Sequence, residues 1–139
     1  MKKITVSAPG KLILLGEHAV VYNRPCIVTA VNSRLKLTIE KLESDEFIFN
    51  APDLGISNYT KKISQIGKGK IPKEAQFVET AISNFNSKFK IKNGFKITTK
   101  SDFSSKFGFG SSSASTACTL FALSKINNIT LSKKELFNL

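Results

Sequence analysis

The chain has 139 residues, 41% of them hydrophobic and 22% charged, which is the composition of one globular domain and excludes intrinsic disorder and fibrous repeats. Lysine and arginine number 21 against 10 acidic residues, and the resulting net charge of +11 predicts an anionic partner, either a nucleic acid or a small phosphorylated ligand. The lysines lie in short clusters with no arginine-rich stripe, which favours a solvated surface over nucleic-acid binding.

No apolar run approaches the ~20 residues that cross a bilayer, and the first residues alternate instead of forming a signal-peptide core. We therefore expect a cytoplasmic protein that does not bind membranes. The two cysteines, Cys26 and Cys118, and the single histidine share no metal-binding spacing. Both cysteines are predicted to be small buried apolar residues.

The first half of the chain is predicted to be mostly strands. Ile4, Val6 and Ala8 alternate with polar residues, and we expect this strand to end at the Pro9-Gly10 break. Three more strands are predicted from β-branched and alternating residues, over 26–31, 35–39 and 46–49. Residues 50–72 show weak periodicity and are interpreted as loop or broken helix.

The second half is predicted to contain three helices and one strand. Apolar residues at steps of three and four predict a helix over 74–89, and alternation predicts a strand over 95–99. A loop over 101–110 then leads into a helix from Ser111 to about residue 126. Ser132 and Glu135 form a capping-box pattern for a third helix. Because the chain stops at residue 139, we interpret it as the front part of a longer protein.

The first segment that carries chemistry lies between the strand at 95–99 and the second helix. It consists of Gly108, Phe109, Gly110, Ser111, Ser112, Ser113 and Ala114. Glycines let a backbone approach a ligand closely, and a helix that follows points its free N–H groups and positive dipole end at the loop. Such a place binds phosphate. A serine hydroxyl can also act as a neutral oxygen ligand for Mg²⁺ beside a triphosphate.

Other interpretations of this segment are weighed beside phosphate binding. Serines are favoured helix N-caps, so ordinary capping explains the same residues about equally well. The segment also resembles a dinucleotide-binding G-x-G-x-x-G, but Ser113 stands where the third glycine belongs. A Walker A loop is excluded, because the chain contains no Gly-Lys-Ser or Gly-Lys-Thr.

The second segment covers residues 8–22 and follows the first strand directly. Lys11 comes after the Pro-Gly break, and Glu17 places a carboxylate beside the only imidazole, that of His18. Taken singly, Lys11 is more simply an exposed lysine and His18 a hydrogen-bonded, partly buried histidine. Together they indicate a group of polar residues at one end of the fold.

Residues 8–22 resemble the first signature of the GHMP kinases, the superfamily of galacto-, homoserine, mevalonate and phosphomevalonate kinases. Gly16-Glu17-His18 followed by Ala-Val-Val-Tyr is similar to the mevalonate kinases, whereas galactokinases carry arginine in place of Lys11. The segment 108–114 resembles the second signature, Gly-Leu-Gly-Ser-Ser-x-Ala, with phenylalanine for leucine. The two signatures stand in the family's order, and the resemblance spans residues 4–123.

This resemblance implies an α+β fold, the GHMP-kinase N-terminal domain, with a mixed β-sheet packed by helices on one face. The domain would occupy residues 1–139, would be incomplete at its C-terminal end, and would stop before a second, ferredoxin-like domain. The implied function is an ATP-dependent kinase that moves the γ-phosphoryl group of ATP to the hydroxyl of mevalonate, in isoprenoid precursor synthesis. The implied cofactor is Mg²⁺, and ATP is the co-substrate.

The resemblance also implies roles for single residues. The loop from Gly108 to Ala114 would bind the triphosphate, and Ser112 would ligate Mg²⁺. Lys11 would be catalytic and would lie beside the substrate hydroxyl, with Glu17 and His18 facing the substrate. Phosphoryl transfer needs positioning and cationic stabilisation of spreading negative charge, which an ammonium supplies.

The sequence departs from the family's pattern in several places. Ser104 and Lys106 occupy the places of a proline and a glycine, and Asn23 replaces a glycine. Lys106 would either add a cation for the phosphates or point to solvent. The family's acidic Mg²⁺ ligand, catalytic aspartate and third signature belong to the second domain, so the 139 residues alone are expected to be inactive.

Three alternatives remain at this point. Phosphomevalonate kinase and homoserine kinase belong to the same superfamily and differ in the acceptor alcohol. A basic nucleic-acid-binding module, from another functional class, would use the same charge of +11. The expected partners are therefore ATP and a small hydroxylated acid, with a homodimer left open.

Overall fold

The fold was obtained as a computed structural model, which describes residues 2–104 and 108–139. This part of the chain contains five strands and three α-helices, joined by turns that include short 3-10 helices. In chain order they are β1 (Lys3–Leu15), β2 (Ile27–Lys41), β3 (Glu46–Ala51), β4 (Ile56–Lys62), α1 (Gln76–Phe89), β5 (Phe95–Ser101), α2 (Ser111–Ile126) and α3 (Lys133–Phe137).

The five strands form one mixed sheet in the order β1-β2-β5-β3-β4. Strand β3 runs parallel to β5, and the other neighbouring strands are antiparallel. A parallel pair needs a crossover connection, and β4 and α1 lie between β3 and β5 in the chain. The predicted α+β class with a mixed sheet is therefore confirmed.

One face of the sheet is covered by helices. Strands β2, β3 and β5 bury alternate residues, whereas the residues between them are exposed or half-buried. The buried residues of these strands are Leu35, Leu37, Ile39, Phe47, Phe49, Ala51, Phe95, Ile97 and Thr99. Helices α1 and α2 pack beside each other, with α2 against β1 and β2. Side chains on that face form the hydrophobic core.

The three helices begin and end close to the predicted positions. The apolar face of α1 buries Val78, Ile82 and Phe85, and a short 3-10 turn over Lys73–Ala75 precedes it. Helix α2 spans Ser111–Ile126 as the spacing predicts. At α3 the capping box is formed, because the Ser132 side chain accepts from the Glu135 N–H and Glu135 accepts from the Ser132 N–H.

The prediction that the first strand ends at Pro9-Gly10 is wrong. Strand β1 continues to Leu15, with a shift of register between Pro9 and Gly10. The break is absorbed because β1 lies at the edge of the sheet, where a residue without an N–H costs no interior hydrogen bond. Lys11 therefore lies within a strand rather than after one.

Two other predictions for the first half also need correction. Residues 26–31 and 35–39 belong to one strand, β2, whose polar residues at 32–34 do not interrupt it. Residues 50–72, interpreted as loop or broken helix, contain β4. The sequence of β4 lacks a clear alternation of apolar and polar residues, because the Lys61 ammonium contacts a buried partner instead of solvent.

That partner is Glu79 on α1, a fully buried carboxylate. Glu79 accepts hydrogen bonds from the Lys61 ammonium at 2.6 Å, the Tyr59 hydroxyl at 2.7 Å and the Gly67 N–H at 2.8 Å. A buried charge needs such pairing, since desolvation without partners is costly. The cluster ties β4 and the turn after it to the first turns of α1.

The two cysteines differ in burial. Cys118 lies in the core beneath β2, and burial raises the pKa of its thiol to about 11. Cys26 is only half-buried. The prediction of a buried apolar residue is therefore confirmed for Cys118 and only partly met by Cys26.

Candidate active site

Helix α2 begins with a glycine cap. Gly110 is its N-cap residue, has φ 71°, and provides no side-chain capping bond. Among the described residues, no partner is present for the hydroxyls or the backbone N–H groups of Ser111, Ser112 and Ser113. The interpretation of these serines as helix caps is therefore wrong. Their N–H groups and the helix dipole are directed at the loop and are free to bind an anion.

Lys11 lies against this helix start. Its backbone N–H donates to the carbonyl of Phe109 at 2.9 Å, which fixes the loop along the edge of β1. A Cβ placed on Gly110 would come within 2.5 Å of Lys11 Cγ and 3.3 Å of Lys11 Cε. The ammonium is one bond beyond Cε, so the half-buried side chain holds its charge close to Gly110.

A cavity of about 490 Å³ opens beside the same helix start. Its apolar walls are Leu35, Phe49, Leu54, Phe77, Val78 and Phe103. Its polar lining consists of Asp53, Lys73, Glu74, Thr99, Ser101, Ser104, Ser111, Ser112 and Ser115. A cavity of this size, with aromatic walls and a few polar groups, is typical of small-molecule sites. Its serine end coincides with the free N–H groups of α2.

The sequence did not predict the walls of this cavity. Phe77 is one of the apolar residues whose spacing predicts the helix over 74–89, yet it is 52% exposed and lines the opening. Asp53 follows β3 in a segment interpreted as loop, and its carboxylate accepts the Ser101 N–H at 2.8 Å. No local pattern marks these residues, since they meet only when β3, β5 and α1 pack together.

Glu17 and His18 lie in the turn between β1 and β2. Gly16 begins this turn with φ 89°, and a Cβ there would contact the backbone of Cys26 at 2.9 Å, so glycine is required. The side chains of Glu17 and His18 are both exposed. Among the described residues neither side chain makes a hydrogen bond or ion pair. The structure therefore places Lys11 against the helix start and leaves the side chains of Glu17 and His18 exposed to solvent.

Two further features of the described residues bear on ligands and location. No three histidine, cysteine, aspartate or glutamate side chains among residues 2–104 and 108–139 are grouped closely enough to hold a metal ion. Likewise, none of the helices in these ranges combines the length and apolar character that a membrane span requires. The sequence prediction for Lys106 lies outside the described residues.

Comparison with known proteins shows which proteins the chain resembles. The family model described as GHMP kinases N terminal domain matches residues 76–139, from α1 to the end of the chain. The mevalonate kinase of Pyrococcus furiosus is 32% identical over 141 residues, covering 96% of this chain and 42% of that kinase. The structure of the Methanococcus jannaschii mevalonate kinase matches with a TM-score of 0.86 at 30% identity.

Residues 76–139 belong to the GHMP kinase family. The match to the Methanococcus jannaschii structure covers 99% of this chain and 44% of that one. The mevalonate kinase of Saccharolobus solfataricus is 33% identical, over 96% of this chain and 41% of that kinase. The chain therefore spans less than half the length of these relatives. A galactokinase from Lactococcus lactis, 16% identical with a TM-score of 0.84, shares the fold.

Replacing Gly110 with alanine tests the contact between Lys11 and the loop. Alanine at a φ of 71° costs about 1–2 kcal/mol, and its Cβ would also displace the Lys11 side chain. We expect weaker binding of ATP, measured by isothermal titration calorimetry, together with lower thermal stability.

The matched control for this variant is Gly69→Ala. Gly69 has φ 67° and no atom within 4 Å of its added Cβ, so it carries the same backbone cost without a contact near the site. We expect it to lose similar stability and to keep its ATP affinity. Equal ATP affinity in both variants would show that the contact between Lys11 and Gly110 does not contribute to ATP binding.

Proposed function

We propose that this chain is the N-terminal part of an ATP-dependent kinase that phosphorylates the hydroxyl of mevalonate. The observation that carries the proposal is the Lys11 side chain packed on Gly110, at the free N–H groups of α2 and beside a cavity. The relatives that match nearly the whole chain are mevalonate kinases, which supports mevalonate as the acceptor.

The nucleotide would bind across the start of α2. Its phosphates would accept hydrogen bonds from the N–H groups of residues 111–113, where the helix dipole favours negative charge. The cavity beside them is large enough for the nucleoside, with Phe49, Phe77 and Phe103 as apolar walls. In this arrangement residues 108–114 bind ATP, as their resemblance to the second signature implies.

Lys11 would act on the group that is transferred. The acceptor oxygen forms a bond to the γ-phosphorus while the bond from that phosphorus to the bridging oxygen breaks, and ADP leaves. Negative charge spreads over the transferring oxygens, and the Lys11 ammonium would stabilise it from a fixed position. The hydroxyl proton would pass to the catalytic aspartate that the resemblance places in a second domain.

Ser112 fits the role of a single neutral ligand for Mg²⁺. It lines the cavity at the helix start, and its hydroxyl has no partner among the described residues. Mg²⁺ commonly takes one or two protein oxygens together with phosphate oxygens and water. The cation would neutralise charge on the phosphates.

The acceptor would lie toward the turn that carries Glu17 and His18, which are both exposed. We further propose a cytoplasmic location, in keeping with the anionic soluble substrates. The 139 residues alone are expected to show no turnover, because the proposed proton acceptor lies outside them.

A coupled assay for ADP release, run on a full-length kinase that carries this chain, tests the proposal. Mevalonate, phosphomevalonate and homoserine are offered separately with ATP and Mg²⁺, and we expect turnover of mevalonate alone. Turnover of homoserine without mevalonate would overturn the substrate assignment. Absence of turnover with every alcohol, combined with RNA binding that weakens steeply with salt, would favour a nucleic-acid-binding module instead.

A further inference from the structure

One part of the molecule leaves many large apolar side chains in solvent. Residues 10–31, here called the arm, comprise the second half of β1, the turn after it and the first part of β2. Within the arm the two strands pair only with each other, because the pairing of β2 with β5 begins at Leu35. A two-stranded ribbon of this kind is marginally stable by itself.

The exposed residues of the arm form a distinct surface. Of the twelve large hydrophobic residues that are exposed in the described structure, eight lie in the arm. They are Leu12, Leu14, Leu15, Val20, Val21, Tyr22, Ile27 and Val28. Val21 and Tyr22 are 75% and 78% exposed. An apolar concentration of this kind marks a surface for binding another polypeptide.

The charge of the arm separates it from the rest of the chain. Within the arm there is one acidic residue, Glu17, and there are two basic residues, Lys11 and Arg24, whereas the whole chain carries +11. A nearly neutral apolar surface does not suit a polyanion, and it does suit the apolar face of a protein.

The relatives indicate what covers this surface. This chain spans 42% of the Pyrococcus furiosus kinase and 44% of the Methanococcus jannaschii chain, so both contain a further polypeptide segment. We propose that the arm is the docking surface for the segment equivalent to that remainder, with Val21 and Tyr22 at the centre of the contact. A second part of this inference rests on the proposed function: the docked segment would also shield the substrate site beside Glu17 and His18 from water.

Cysteine labelling of one fused polypeptide tests the proposal. Residues 1–139 are joined to the remainder of the Pyrococcus furiosus kinase, Cys26 is replaced by serine, and Tyr22→Cys is labelled with a maleimide. We expect labelling about tenfold or more slower in the fusion than in the 139-residue chain, because a docked surface reacts only when it opens. The control Phe137→Cys, at a residue 90% exposed on α3, should react equally in both.

Equal labelling of Tyr22→Cys in the two proteins would overturn the proposal. A second measurement does not depend on the fusion. In the 139-residue chain, the double variant Val21→Ser and Tyr22→Ser should keep the thermal unfolding midpoint of the parent, since about three quarters of each side chain is exposed. Unfolding of that variant, or a stable dimer of the parent that the variant abolishes, would also overturn it.

Labelling requires neither ATP nor mevalonate, so the two proposals can fail separately. Protection of Tyr22→Cys in a fusion that phosphorylates no alcohol would uphold the docking surface and count against the proposed function. Turnover of mevalonate without protection of Tyr22→Cys would support the proposed function and count against the docking surface.

Discussion

Replacing Lys11 with methionine is expected to lower kcat of the full-length kinase by about 100- to 1,000-fold, the usual loss when one preorganised charge-stabilising group is removed. Methionine keeps much of the carbon chain that packs on Gly110, so the loop and helix start should keep their positions. The variant therefore removes the ammonium and little else. The measurement is steady-state ADP release with mevalonate at saturating ATP.

The control for this variant is Lys36→Met, which removes the same charge from the exposed side of β2. If the net charge of +11 drew the anionic substrates to the protein, both variants would lose activity alike. We expect Lys36→Met to retain the parent rate. A Lys11→Met variant with unchanged kcat would refute the catalytic role, and circular dichroism would show that its fold is intact.

Replacing Lys61 with methionine is expected to lower the free energy of unfolding by about 3–5 kcal/mol, because it leaves the Glu79 carboxylate buried without its cation. The Lys61 ammonium lies 2.6 Å from a carboxylate that is fully buried. Urea unfolding of the 139-residue chain measures the change. The neighbouring Lys62→Met, at an exposed position of the same strand, should change stability by less than about 0.5 kcal/mol.

The double variant Lys61→Met and Glu79→Leu separates a buried charge from a general packing loss. With both charges removed, much of the lost stability should return, since an apolar pair can replace a buried ion pair. A double variant that is less stable than Lys61→Met would show instead that the cluster is needed for its other hydrogen bonds.

The same cluster predicts how stability depends on pH. Burial lowers the pKa of Lys61, but hydrogen bonds to Glu79 and Tyr59 outweigh it and leave that pKa above its ordinary value of 10.5. Burial and the bond to Glu79 raise the pKa of Tyr59 above 10.0. A raised folded-state pKa contributes stability that is complete below the unfolded value and is lost above it. The free energy of unfolding should therefore fall above pH 10, and less so in the double variant.

The helices and strands β3 and β5 could be predicted because their patterns are local. Helix α1 repeats its apolar residues at helical spacing, and β5 alternates, so each element carries its own signal. Strand β4 could not be recognised, because Lys61 occupies an inward position that the pattern assigns to apolar residues. Only the distant Glu79, eighteen residues along the chain, makes that position favourable.

Part of the candidate site could likewise be predicted from the sequence, and part could not. The loop at 108–114 and Lys11 were identified from two motifs, and the structure brings them into contact through Gly110. The cavity beside them could not be predicted, since Phe49, Phe77 and Phe103 come from three separate elements that meet only in the folded chain. A register shift at the sheet edge, which no periodicity reveals, keeps β1 continuous through Pro9.

The continuity of β1 has a mechanical consequence. One uninterrupted strand joins the sheet edge at Ile4 to Leu15 in the arm, and Lys11 lies between them with its N–H bonded to Phe109. A force applied at the far end of the arm would thus be transmitted along this strand to Lys11, where the strand is hydrogen-bonded to Phe109. A partner that binds the arm would therefore act on the same strand that holds the Lys11 side chain at the start of α2.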